Sequence, residues 1–169
     1  MKKIVIYSSL TGNTRKVGEA IAAELGCKAF SFDDEAVSDI SGYDFIAVGY
    51  YIDKGDADAH FKRYIKEHIK GKKVGLFITL GADPIEHGER SLQAGRELLA
   101  AGGNEILREF ICQGAIDPAV IAQMIEMAEK MGEKAMHLIT PERRATWAAA
   151  ASHPDANDLI NARAAFKGL

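Results

Sequence analysis

Between Ser8 and Thr14 the chain reads Ser-Ser-Leu-Thr-Gly-Asn-Thr, a run of hydroxyl and amide side chains around one glycine. The apolar run Ile4-Val5-Ile6 precedes it, and a helical pattern follows from Asn13. The segment therefore predicts a strand-to-helix turn. The first N–H groups of a helix lack internal acceptors, and the helix dipole puts partial positive charge at that end. Both favour a bound phosphate. Hydroxyls of Ser9, Thr11 and Thr14 add donors, and Gly12 lets the backbone approach a ligand closely. Four hydroxyl or amide side chains in the six positions Ser9 to Thr14 exceed what a helix cap requires.

Two more loops can close on such a ligand. Gly49-Tyr50-Tyr51-Ile52-Asp53-Lys54-Gly55-Asp56 follows the apolar run Phe45-Ile46-Ala47-Val48 and offers two aromatic rings and the flexible Gly55. Strand neighbours point to opposite faces, so at most one tyrosine can stack on a ligand, and Tyr51 is the expected one. Asp56 or Asp58 is expected to cap the next helix. Thr79-Leu80-Gly81-Ala82-Asp83 ends the run Val74 to Ile78, and Gln113-Gly114 either reaches the ligand or simply turns the chain. His60, His68, His87, His137 and His153 have no metal-ligand spacing, so no metal site is expected. A nucleophile elbow and a Walker loop are both missing, and no residue is expected to act as a catalytic acid or base.

The elements that must position these loops follow from periodicity. After the first strand comes a helix with Val17, Ala20, Ile21 and Leu25 at helical spacing, closed by Gly26. Lys28 to Phe32 reads as a second strand and Phe45 to Val48 as a third. Ala57, Phe61, Tyr64, Ile65 and His68 mark the next helix. After the fourth strand, Asp83-Pro84-Ile85-Glu86 has the form of a capping box, opening a helix through Leu92, Gly95, Leu98 and Leu99. Ile106 to Cys112 is a fifth strand, placed at an edge by Arg108 and Glu109. Asp117-Pro118 starts a helix with Val120, Ile121, Met124, Ile125, Ala128 and Met131 expected along its inner face. Thr140-Pro141 and His153-Pro154-Asp155 start two more helices. Strands alternating with helices predict an α/β fold with a parallel sheet covered on both faces.

A length of 169 residues suits one domain, read here as a core over 1–138 with a helical C-terminal extension over 139–169. The formal charge of -3 leaves no basic face for nucleic acid. Cys27 and Cys112 match no paired motif and are expected as buried thiols. No apolar run reaches the ~18 residues of a membrane span. Ile4-Val5-Ile6 is also too short for a signal-peptide core, so a cytoplasmic protein is expected.

The stretch Ser9-Leu10-Thr11-Gly12-Asn13-Thr14 resembles the FMN-phosphate loop of the flavodoxin family position for position. The likeness continues in element order from about residue 3 to 135 and implies a doubly wound five-stranded sheet in the order 2-1-3-4-5. FMN would then lie at the carboxyl ends of strands one and three. The resemblance assigns the loop from Tyr50 to Gly55 to one flavin face and Thr79, Leu80, Gly81 and Ala82 to the pyrimidine edge, mainly through backbone groups. Pro84 and Ile85 stand where many relatives carry a stacking tyrosine, which implies a more open flavin or one covered by the 50s loop, His87 or a partner. A Lys54 ammonium near the ring would favour the reduced, anionic flavin. The family implies electron transfer between partner proteins; a monomer or weak homodimer is expected.

Tyr51-Ile52-Asp53-Lys54-Gly55 and His153-Pro154-Asp155 also look like a flavodoxin-like subgroup found beside bilirubin reductases. Gly49 to Phe61 resembles the corresponding loop of menaquinone-dependent protoporphyrinogen oxidase. That likeness keeps a small FMN-dependent oxidoreductase acting on a quinone or porphyrinogen as an alternative, and a flavin-free interaction module is a third.

Overall fold

Strands β1 (Lys3–Tyr7), β2 (Ala29–Ser31), β3 (Phe45–Asp53), β5 (Lys73–Leu80) and β6 (Glu105–Gln113) lie parallel in the order β2-β1-β3-β5-β6. Two-residue β4 (Asp56–Ala57) pairs antiparallel with the end of β3. The structure is a computed structural model whose described residues are 1–134 and 138–169; His137 lies outside them. Strand order agrees with the expected 2-1-3-4-5, because β4 is a short hairpin return and not a rung of the main sheet.

Alternation along the strands divides the core into two layers. Ile4, Ile6, Ile46, Val48, Tyr50, Leu76 and Ile78 face α2 (Ala59–His68) and α3 (Pro84–Ala100), where Phe61, Ile65, Leu98 and Leu99 meet them. Val5, Tyr7, Phe45, Ala47 and Phe77 face the other side, against Val17, Ile21 and Leu25 of α1 (Asn13–Leu25). Ala162 and Phe166 of α6 (Ala156–Phe166) complete that second layer and are fully buried. Burying Phe166 alone contributes roughly 1.5–3 kcal/mol.

Here the sequence expectation needs correcting. No residue of α4 (Pro118–Met131) is buried, and Val120, Met127 and Met131 are exposed. The sheet face expected for α4 is taken by α6, which packs on α1 and β6. The apolar pattern of α4 instead faces its own hairpin: Ile125 and Ala128 line a groove with Leu138, Ile139 and Arg144, the last on α5 (Pro141–Ala150). The chain leaves the sheet at Ala115 and returns at His153, whose carbonyl accepts a 2.8 Å bond from the Ala115 N–H. Helices α4 and α5 lie on this excursion, between residues 116 and 152, and α6 packs in the core.

The capping box expected at Asp83 is also not formed. Asp83 caps α3 through Ile85 N–H at 2.8 Å, while the Glu86 carboxylate lies 3.7 Å from His87 Nε2. A capping box occurs instead at α6, between Asp155 and Asp158. Among the described residues, no helix is long and apolar enough to cross a membrane.

Candidate functional site

Three loops meet at the carboxyl ends of β1, β3 and β5. Ser8 N–H bonds Gly49 O at 2.9 Å, tying the first loop to the third strand. Asn13 Nδ2 donates to Ala115 O at 2.8 Å and to Thr11 Oγ1 at 3.2 Å, which ties it to the neck of the helical excursion. Gly114 N–H bonds Leu80 O at 2.9 Å. The loops after β1, β5 and β6 therefore form one hydrogen-bonded rim.

Helix α1 starts on Gly12 in the left-handed region, φ 92°, with no side-chain cap. The other five α-helices begin on Asp58, Asp83, Asp117, Thr140 and Asp155, and each of these side chains accepts a first-turn N–H. Ser9 Oγ accepts Arg15 N–H at 3.2 Å, and Lys16 N–H bonds Gly12 O. Among the described residues, the N–H groups of Asn13 and Thr14 have no acceptor. The first turn also carries Arg15 and Lys16 and no acidic residue. Cations there oppose the helix dipole, although Arg15 pairs with Glu19 at 2.8 Å; an anion at the turn would offset that opposition. A phosphate fits this donor set: two free backbone donors, hydroxyl side chains and the nearby Lys16.

Thr14 itself departs from the simplest expectation. It is buried, and its Oγ1 lies 2.8 Å from Thr79 Oγ1, which is buried as well. Thr11 and Leu10 are exposed, Leu10 to 69%. The sequence singled out Thr79 only as a loop residue. A bond between residues 65 positions apart has no local signature.

The third loop is a tight hairpin. Asp53 pairs with Asp56, so Lys54 and Gly55 are its two central residues, with φ of 50° and 87°. Positive φ at both positions matches a type I′ turn, the two-residue hairpin loop that fits the twist of the strands. The hairpin separates the two tyrosines. Tyr50 is a core residue, 1% exposed, with its ring 6.3 Å from Phe61. A Cβ at Gly95 would stand only 2.6 Å from the Tyr50 hydroxyl, so α3 packs directly on this side chain. Its inclusion among ligand contacts is corrected by strand alternation, which turns it inward.

Tyr51 is half-buried, and its hydroxyl pKa is raised by burial and then by the negative charges of Asp58 and Asp53. Asp58, not Asp56, caps α2, through Phe61 N–H at 3.0 Å. Its second oxygen is buried without a hydrogen-bond partner among the described residues. Such an orphan is rare in folded proteins and is an open acceptor beside the hairpin. Asp56 instead pairs with Lys62. Burial, the largest single effect, raises the Asp56 carboxyl, but the bonds from Lys62 and the Ala57 N–H with the charges of Lys62 and Lys66 together hold it below its ordinary value. Ile52 packs on the core layer and pairs with Ala57, whereas Asp53 and Lys54 are exposed.

In the loop after β5, Leu80 is buried, so only its backbone faces the rim. A Cβ at Gly81 would stand 2.3 Å from Ile116, the first residue of the excursion. Ala82 is half-buried, and Ile85 just beyond it is 95% exposed. Gln113 Nε2 reaches Gly81 O at 3.5 Å, so this residue helps close the turn.

His153, Asp155 and Asp158 gather at the start of α6 with side-chain atoms within 4.8 Å of one another, a grouping that sequence spacing did not reveal. Their bonds serve the helix start: His153 Nδ1 to Asp158 Oδ2 at 2.6 Å, and Asp155 Oδ1 to the N–H groups of Asn157 and Asp158. A depression lined by Met1, Ser41, Asp44 and Lys73 lies at the opposite ends of the strands and is not part of this rim.

A doubly wound sheet with its loops gathered at the order reversal defines a class of ligand-binding α/β domains. The profile of the flavodoxin domain matches residues 4–167, and the chain belongs to the flavodoxin family. That match includes α6, in agreement with its place in the core. The chain is 34% identical over 173 residues to the flavodoxin-like domain-containing protein BilS of Clostridioides difficile (strain CD3), covering 100% of this chain and 96% of that protein. It is 26% identical to BilS of Clostridium symbiosum (strain WAL-14163), over 94% and 90% of the two chains. Its fold is similar to that of oxidised flavodoxin 2 from Bacillus cereus, with a TM-score of 0.55, 16% identity and coverage of 95% and 99%.

Proposed function

We propose that this protein binds FMN, with the phosphate on the first turn of α1, and passes electrons between separate donor and acceptor proteins. The observation that carries this reading is the open helix start. Among the described residues, five α-helices begin on a residue whose own side chain caps them, whereas α1 begins on Gly12, which has none, and its Asn13 and Thr14 N–H groups have no acceptor. Charge-assisted bonds are worth ~1.5–3 kcal/mol each, so two would favour FMN over riboflavin by about 3 kcal/mol, on the order of a hundredfold.

Bound flavin supplies one- and two-electron chemistry of its own. The residues of this chain hold and orient it. Tyr51 offers an aromatic face, the Lys54–Gly55 turn carries a cation and backbone freedom, and Thr79 to Ala82 present backbone groups. The orphaned Asp58 oxygen is an acceptor for a ligand donor. Leu10, exposed in the loop after β1, and Ile85, exposed in the first turn of α3 after β5, suit an apolar contact with a redox partner. Cys27 and Cys112 are free thiols, which suits a reducing cytoplasm.

The purified protein is expected to be yellow and to release FMN on denaturation, with electron flow only when separate donor and acceptor proteins are supplied. Colourless protein that takes up no FMN on titration would overturn the binding, and released FAD would overturn the mononucleotide. Steady turnover of a quinone or porphyrinogen by the protein alone would overturn the carrier role.

A further inference from the structure

We propose that Thr79 is a positioning residue for the phosphate site, acting through Thr14; the inference rests on the reading of α1 as that site. Thr14 stands in the first turn of α1 and Thr79 near the end of β5. Their hydroxyl oxygens are 2.8 Å apart, with the two residues 1% and 2% exposed. The pair is therefore sealed from water, and neither hydroxyl has another partner among the described residues.

Two hydroxyls carry two protons, and their mutual bond uses one. If Thr14 donates, the Thr79 proton is left without an acceptor under the strand. If Thr79 donates, the remaining proton sits on Thr14, in the same turn as the free N–H groups of Asn13 and Thr14. An anion at that turn selects the second arrangement. Thr79 thus holds the Thr14 side chain and directs its proton toward the start of α1. It also ties that helix start to the loop after β5, so the phosphate end and the ring end of the crevice share one buried bond.

Removing one member of a buried pair leaves the other unsatisfied, whereas removing both is nearly neutral. Thr79→Val should therefore disturb the phosphate end and spare the ring end. The test is fluorescence titration of the apoprotein with FMN and with riboflavin, for the wild type, Thr79→Val, Thr79→Ser, Thr14→Val and the double variant. The expected result is about a tenfold loss of FMN affinity in Thr79→Val, the worth of one net hydrogen bond. Riboflavin affinity stays within about twofold, on the same reasoning. Thr79→Ser retains the FMN affinity, and the double variant is no weaker toward FMN than Thr14→Val alone. Equal losses for both ligands, no loss in Thr79→Val, or additive losses in the double variant would overturn the proposal. A wild type that binds FMN no better than riboflavin would overturn the phosphate reading beneath it. Thermal unfolding of each apoprotein checks the fold. If Thr79→Val fails to fold, Thr79→Ala read against Thr79→Ser replaces it with the same expectations.

Discussion

Gly12→Ala isolates the backbone conformation on which the proposed phosphate turn depends. Gly12 has φ 92°, and a Cβ added there would meet nothing within 4 Å. The substitution adds no clash and removes no contact, so its cost is that of forcing an L-residue into the left-handed region, ~1–2 kcal/mol. Where that cost appears depends on the loop. If the turn keeps its shape, apoprotein stability falls by the whole amount and FMN affinity is unchanged. If the turn relaxes, the free N–H groups of Asn13 and Thr14 lose their alignment. The loss then moves into FMN affinity, as about a 5- to 30-fold weakening. The sum is the same in both cases. At saturating FMN the unfolding free energy should drop by ~1–2 kcal/mol, or about 2–8 °C in melting temperature for a domain of this size. Urea unfolding followed by circular dichroism, with and without FMN, together with flavin titration, measures both parts. A summed loss below about 0.5 kcal/mol would refute the claim that Gly12 is held in this conformation by the fold, since the steric cost alone exceeds that value.

Two further outcomes test the architecture and its titration. Replacing residues 117–152 with a short flexible linker should leave a folded flavodoxin domain. The ends of the excursion are already joined at Ala115 and His153, and α4 contributes nothing to the sheet layers; loss of cooperative unfolding would contradict that division. Burial, with the charges of Asp158 and Asp155, raises the Cys112 thiol from 9.0 to about 12, and burial raises the Tyr64 hydroxyl from 10.0 to about 12. Between the lower and upper values the unfolded chain holds fewer protons than the folded one, so stability falls as pH rises. The urea midpoint should thus stay level up to about pH 9 and decline above it. In Cys112→Ala the decline should start later, and a midpoint that holds or rises to pH 11 would exclude this account.

Much of the fold was legible because it rests on local periodicity. Apolar runs such as Phe45 to Val48 and helical stripes such as Val17-Ile21-Leu25 reveal their element type without partners. The strand-to-helix turn proposed to hold an anion was legible for the same reason, since Ser9 to Thr14 lie close together along the chain. Alternation even separated Tyr50 from Tyr51, although only packing against Phe61 and Gly95 shows which ring turns inward.

What the tertiary structure decided is which surface each pattern meets. The apolar stripe of α4 is as regular as that of α1, yet α4 is left outside because Phe166 and Ala162 of α6 occupy the sheet face first sought for it. Amphipathicity states that a helix has a face to bury, and competition among helices for one sheet determines whether it is buried there. The Thr14–Thr79 bond belongs to the same category: each hydroxyl is visible in the sequence, but their meeting is a property of β5 lying two strands away from β1. By itself the sequence determined the kind of sheet and singled out Ser9 to Thr14 as the turn expected to hold an anion. Tertiary packing decided that Thr14 faces Thr79, that Tyr50 belongs to the core, and that the helical excursion springs from the rim of the site.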